Sequence, residues 1–164
     1  MLWKERAEYN REAALEYAIK WAYGRNPKYL NFDDIGGDCT NFVSQCLFAG
    51  CLTMNPTPIY GWYYNNSYDR SPAWSGCKFL YEFLTTNKGL GPFGIDVDKE
   101  FAKIGDIVQL GNNERNFSHS TIITSISDDK IFVSAHSNDA FNRLVDSYNF
   151  KKLRYIHILG VNKS

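Results

Sequence analysis

The chain has 164 residues, 44% of them hydrophobic and 16% aromatic. That describes one globular domain with a sizeable core and excludes a disordered chain. Lys+Arg and Asp+Glu are equal at 18 each, so no basic field is available to hold a phosphate backbone, and no nucleic acid partner is expected.

The start, "MLWKERAEYNREAALEYAIKWAYG", is amphipathic and charged. It lacks the apolar core and small-residue cleavage site of a signal peptide. Two expectations follow for localisation: a cytoplasmic protein, or an extracytoplasmic domain whose leader lies elsewhere. No apolar run approaches the roughly 20 residues of a membrane helix, so no membrane span is expected. Tyr9, Ala13, Ala14, Tyr17, Ala18 and Trp21 mark one face of a first helix, which Gly24 and Pro27 end.

The loop "RNPKYLNFDDIGG" feeds a second helix, with Cys39 at its start, Phe42, Val43, Cys46 and Leu47 at helical spacing, and Gly50 at its C-terminus. Residues 51–72 have no clear period and hold Pro56, Pro58, Pro72 and a cluster of aromatics. A loop of that length is often functional. A third helix is expected over about 73–87. Strands follow at "GDIVQLG" (105–111), "HSTIITSI" (119–126), "KIFVSAH" (130–136), "NRLVDSY" (142–148) and "LRYIHILGV" (153–161). Helices first and strands second predict an α+β domain, an antiparallel sheet with helices packed on one side. The whole chain, 1–164, reads as one domain without repeat or linker.

The four cysteines, Cys39, Cys46, Cys51 and Cys77, contain no C-x-x-C pair. That argues against a structural zinc site, and the core-forming content argues against a disulfide framework. Cys46 and Cys77 lie on apolar stripes and read as small buried hydrophobes. Cys39 breaks the pattern. A helix start offers unpaired N–H groups and partial positive charge, which favour a thiolate and can also stabilise an oxyanion on a substrate carbonyl. The alternative is a cysteine that merely packs.

A nucleophilic thiol needs a base, usually histidine. His119 opens a strand after the polar loop "GNNERNFS", His136 ends the next, and His157 sits mid-strand and reads as structural. With Asp128 and Asp129 as a two-residue turn, His119 faces Asn138 and Thr121 faces His136, so both His136 and Asn138 share the His119 face. Either can orient the imidazole. Asp38 reads as a helix cap and Asp106 as a turn residue.

The motif "DCTNFVSQCLFAG" resembles the signature of the putative amidase domain family. This is a bacterial group within the papain-like superfamily, related to NlpC-type and CHAP-type peptidoglycan hydrolases. "YNREAALEYAIKWAYGRNPKY", "GWYYNN", "SPAWSGCKFLYEFL", "KIGDIVQL" and "HSTIIT" are similar to family motifs in the same order, so the resemblance covers about residues 8–160. It implies a papain-like fold, with Cys39 as nucleophile and His119 as base. The third polar residue falls in "AHSND", which offers His136, Asn138 and Asp139. His136 ranks first by analogy with NlpC-type enzymes, and Asn138 second on the hairpin register. Tyr29 is the nearest counterpart of the tyrosine that lines the oxyanion site in NlpC-type enzymes, at a shorter spacing.

The expected activity is hydrolysis of an amide bond in a peptide or peptidoglycan stem peptide through a thioester, with no metal or organic cofactor. Tyr60, Trp62, Tyr63, Tyr64, Tyr68 and Trp74 are offered either as lining of the cleft or as packing of the loop onto the body. The rivals are a non-catalytic binding module that keeps the fold, and an acyltransferase using the same Cys–His pair.

Overall fold

The structure is a computed structural model that describes residues 5–113 and 115–164. Met1–Lys4, in the charged start, and Glu114, in the polar loop before His119, lie outside the described residues. After a short strand β1 (Arg6–Ala7), helix α1 spans Arg11–Trp21 and is capped by Asn10, whose side chain accepts from the Ala13 N–H at 3.0 Å. Ala14, Ala18 and Ala22 are buried on one face. Their small side chains let α1 lie close against α2 (Cys39–Cys51).

Helix α2 is buried nearly all round and carries no charge, as befits the central helix of a domain. Gly50 is not its C-terminal residue, because the helix continues to Cys51 and ends on Leu52 in the left-handed region (φ 53°). Gly50 instead serves close packing, since a Cβ there would lie 2.4 Å from the Tyr9 ring and 2.7 Å from the Asn10 carbonyl oxygen.

The loop that follows holds a small hairpin of β2 (Tyr64–Asn66) and β3 (Asp69–Arg70). The single helix expected near 73–87 is two helices, α3 (Pro72–Ser75) and α4 (Cys77–Thr86). They break at Gly76, whose extended backbone (φ −114°, ψ 125°) ends one helix and caps the next.

Strand β4 (Gly91–Val97) has no counterpart in the sequence reading, because its Gly and Pro argue locally against a strand. It pairs with β9 alone, and an edge strand tolerates proline. Then come β5 (Ile107–Gly111), β6 (His119–Ser127), β7 (Lys130–Ala135), β8 (Ala140–Leu144) and β9 (Lys152–Asn162). Of the expected strand 142–148 only the first part is extended, since Val145–Ser147 form a 3-10 turn.

The sheet is antiparallel, in the order β1-β9-β5-β6-β7-β8, with β4 also on β9. Alternation along the strands divides its faces. Ile107, Ile122, Ile156 and Ile158 meet the helices, while Val108, Leu110, Ile123, Val133 and Tyr155 build a second apolar cluster on the other side. The architecture is α+β, as composition and element order imply. No helix among the described residues is long and apolar enough to cross a membrane.

Candidate active site around the start of helix α2

Cys39 is the first residue of α2 and is partly exposed, whereas Cys46 and Cys51 are buried. Burial pushes the Cys46 thiol well above its ordinary value and raises Cys51 to about 12. Burial also raises Cys77, to about 11, against a hydrogen bond from Ser120. The Cys39 Sγ lies 3.9 Å from the Ser118 carbonyl oxygen and 3.8 Å from Thr40 Oγ1. Thr40 Oγ1 in turn is 2.9 Å from Ser120 Oγ, so the helix start is tied to β6 on both sides of His119.

The approach to Cys39 turns through Gly36 (φ 87°) and Gly37 (φ 102°), conformations that favour glycine. Asp38 follows, fully buried, and it does not cap the helix, because both its oxygens are taken elsewhere. Oδ1 accepts from the Phe32 N–H (2.8 Å) and from Asn41 Nδ2 (2.9 Å), while Oδ2 lies 2.6 Å from His136 Nδ1 and 3.5 Å from Arg25 Nε. Burial pushes the Asp38 carboxyl up. The hydrogen bonds from His136, Asn41 and the Phe32 N–H and the His136 charge outweigh it, holding the carboxyl below its ordinary value.

His136 is therefore engaged at both nitrogens. Its Nε2 lies 2.8 Å from the Trp21 carbonyl and 3.0 Å from Arg25 Nη1, and its ring stacks on Phe42 at 4.0 Å. Arg25 also binds Asp33 and Asp139, each at 2.9 Å. Ser137 Oγ accepts from the Asp38 N–H at 3.0 Å. Together these contacts clamp the loop before α2 to the end of β7. Arg25 and Asp33 carry no local signal in the sequence, because their other partners, His136, Ser137 and Asp139, come from a distant segment.

His119 occupies the other face of the sheet. It pairs with Leu110, which belongs to the cluster away from the helices. Its ring lies 5.6 Å from that of Tyr148, over which the Arg143 guanidinium sits at 3.7 Å. Burial, and then the Arg143 charge, lower the His119 imidazole to about 4. At neutral pH the ring is a neutral base. It opens on a cavity of about 280 Å³ whose lining includes Ser118, Asn138 and Arg143.

The hairpin register departs from expectation. Asp128 and Asp129 do form the two-residue turn, both at positive φ (50° and 64°), with Ser127 opposite Lys130. The ladder then shifts between Ile123 and Ser125, so that Ile122 pairs with Ser134. Thr124 is the extra residue, a bulge that reverses parity beyond it. The expected pairs His119–Asn138 and Thr121–His136 do not form, and His136 turns toward α2. Asn138 lines the His119 cavity from a turn (φ 57°). Among the described residues, no hydrogen bond joins His119 to His136, Asn138 or Cys39. Asp139 is held by Arg25.

The aromatic loop packs Trp62, Tyr63, Tyr64 and Trp74 inward and leaves Tyr60 and Tyr68 exposed. Trp62 and Trp74 are fully buried, their indole N–H groups donating to Ser44 Oγ (3.0 Å) and Asn41 Oδ1 (2.9 Å), so neither offers a face to substrate. Tyr63 is buried with its hydroxyl accepting from the Ile59 N–H, and Tyr29 stacks on Trp74 at 5.9 Å. Burial of large aromatic area favours packing for Trp62, Tyr63 and Trp74, whereas Tyr29, offered for the oxyanion site, is only partly buried. His157 is structural: its Nδ1 lies 2.7 Å from Asp106 Oδ2. Asp106 serves its turn by accepting from the Lys103 N–H at 2.8 Å, and it also holds Arg11 at 2.7 Å. No group of three or more His, Cys, Asp or Glu side chains among the described residues is placed to hold a metal ion.

A family model described as a putative amidase domain matches residues 8–159. The protein named "Uncharacterized protein YhbB" of Bacillus subtilis (strain 168) is 34% identical over 122 residues, covering 72% of this chain and 38% of that protein. "Uncharacterized protein YjcM" of the same organism is 27% identical over 142 residues, 82% of this chain and 32% of that protein. The chain thus spans about a third of the length of these curated relatives. No solved structure matches it.

Proposed function

The chain belongs to the putative amidase domain family, and we propose that it is a papain-like cysteine hydrolase of amide bonds, with Cys39 as nucleophile and His119 as base. The observation that carries this reading is the partly exposed Cys39 thiol at the first residue of α2, against the carbonyl that precedes His119. Cys77 shares a partly exposed helix start and a contact with Ser120 of β6, but burial raises its thiol to about 11.

In this mechanism His119 takes the thiol proton, and the thiolate attacks the carbonyl carbon of the amide. The helix N–H groups stabilise the oxyanion. The imidazolium then returns the proton to the leaving amine as the C–N bond breaks, leaving a thioester on Cys39. Water, deprotonated by His119, attacks the thioester; the C–S bond breaks, the acid leaves, and His119 returns the proton to the Cys39 thiolate. Neutral His119 is in the correct form to begin. It stands at the first residue of its strand with its ring on the face away from α2, so this mechanism requires the ring to swing past Ser118 toward the thiol when substrate binds. The substrate class is a peptide or a peptidoglycan stem peptide.

Incubation with purified peptidoglycan fragments and small peptides, followed by mass spectrometry, should reveal a cleaved amide that Cys39→Ala does not cleave. Cleavage that survives Cys39→Ala would overturn the reading. A second reading, a binding module without catalysis, is favoured by the absence of a Cys39–His119 hydrogen bond. It predicts retention of such fragments unaltered by both proteins.

A further inference from the structure

Beside the helix start lies a second cavity, of about 400 Å³, lined by Lys78, Tyr81, Glu82, Arg115, Asn116, Phe117, Lys152 and Arg154. Among the described residues its lining carries the cations Lys78, Arg115, Lys152 and Arg154 and the carboxylate Glu82, which sits 3.9 Å from Lys78. The centre of the site is Arg154. Its guanidinium lies between two rings, 3.4 Å over Tyr81 and 3.7 Å over Phe117. One edge is fixed, with Nε and Nη2 donating to Gln109 Oε1 at 2.9 and 2.6 Å. Gln109 is itself locked, because its Nε2 donates to the Cys77 carbonyl at 2.9 Å and to Ser120 Oγ at 3.2 Å. Nη1 makes no hydrogen bond, and Arg154 no ion pair, among the described residues.

Burial pushes Arg154 below its ordinary value against the opposing charges of Asp96 and Glu82, neither of which makes an ion pair with it among the described residues. A planar cation stacked between rings, with one edge satisfied and the other open to a cavity, is preorganised for an anion of matching shape. Tyr81 does not supply that anion, since its hydroxyl donates to Asp96.

The cavity adjoins the nucleophile by two routes. Phe117 lines it, and the next residue, Ser118, presents its carbonyl 3.9 Å from Cys39 Sγ. Arg154 also reaches Cys39 through Gln109, Ser120 (3.2 Å), Thr40 (2.9 Å) and the thiol (3.8 Å). We propose that this cavity is a carboxylate subsite, in which Arg154, between Tyr81 and Phe117, binds a carboxylate of the substrate a few atoms from the amide that Cys39 attacks. The substrate is then an acidic peptide segment, its carboxylate either a free C-terminus or a glutamate side chain. This rests on the amide hydrolysis proposed for Cys39, which gives the carboxylate its place in a peptide.

The test is equilibrium dialysis of Cys39→Ala protein against three matched libraries of N-acetyl tetrapeptides, read by mass spectrometry. One library ends in a free carboxylate, one in a carboxamide with Gln inside, and one in a carboxamide with Glu in place of that Gln. At least one carboxylate library should be retained about tenfold better than the Gln carboxamide set. Which of the two wins identifies the source of the carboxylate. Arg154→Gln should abolish the preference. Should that variant unfold in a thermal melt, Lys78→Glu, a change on an exposed side chain, should reduce it at least threefold. Equal retention of all three libraries, or a preference unchanged in these variants, overturns the subsite. Wild-type cleavage of the neutral set with no carboxylate preference would sink the subsite and leave the hydrolase standing. Retention through Arg154 without any cleavage would support the subsite and sink the hydrolase.

Discussion

His136 and His119 flank one hairpin and end in opposite chemical situations. His136 is buried and stacked on Phe42, with Nδ1 against the Asp38 carboxylate and Nε2 either donating to the Trp21 carbonyl or accepting from Arg25. His119 is only partly buried, has no hydrogen-bonded partner among the described residues, and faces a cavity beside an arginine. A ring with both nitrogens engaged has no lone pair to lend to a reaction, and its energy goes into holding the chain. A ring with its nitrogens unspent is free to move a proton. The comparison separates a clamp from a proposed base, although both residues fall in one hairpin of the family-like motif.

The largest effect should come from the clamp. His136→Ala leaves the Asp38 carboxylate buried with its closest partner gone, a loss of about 3–5 kcal/mol. Urea denaturation should show a shift of that size, with any fall in turnover tracking the folded fraction. A fully stable His136→Ala protein with abolished turnover would instead restore His136 to the catalytic group.

His119→Ala should do the reverse. Turnover on a peptide identified as substrate should fall by a factor on the order of 10² or more, as for loss of a positioned base, while the urea midpoint moves little. His157→Ala, which removes only a partner of Asp106, should keep most of its turnover. Comparable losses in the two folded variants would erase the distinction between them.

Thiol reactivity gives a further test that needs no substrate. Limited iodoacetamide labelling with peptide mapping should modify Cys39 before Cys46 and Cys51, which are buried with raised thiols, and before Cys77. Earlier modification of Cys77 would move the accessible nucleophile from the start of α2 to the start of α4.

The smallest effect is in pH dependence. The folded His119 value of about 4 lies below the ordinary 6.5. The unfolded chain therefore binds more protons in that interval, and stability falls as pH drops from about 6.5 toward 4. Asp38 is also depressed, from 3.8, so its contribution is present above that value and is lost on further acidification. His119→Ala should flatten the first part of the acid limb of the stability curve, and Asp38→Asn the part below about pH 4. An NMR titration of His119 with a midpoint near 6.5 would remove the first window and the burial argument behind it.

Much of this protein was determined by local pattern. The α+β order, helix α1, the placement of Cys39 at the first residue of α2, and the Asp128–Asp129 turn all follow from periodicity and turn chemistry within a few residues. What failed depended on distant partners. Strand β4 exists because β9 supplies an edge, against the preferences of its own Gly and Pro. Trp62 and Trp74 sit in the core because Ser44 and Asn41 accept their N–H groups from inside α2. One inserted residue, Thr124, turned His136 from the His119 face to the Asp38 carboxylate. A strand's side-chain period is two, so a single bulge exchanges faces for everything beyond it. Only the tertiary structure decides where that residue is inserted. The same holds for Arg154, an unremarkable arginine in a strand until Tyr81, Phe117 and Gln109 meet around it.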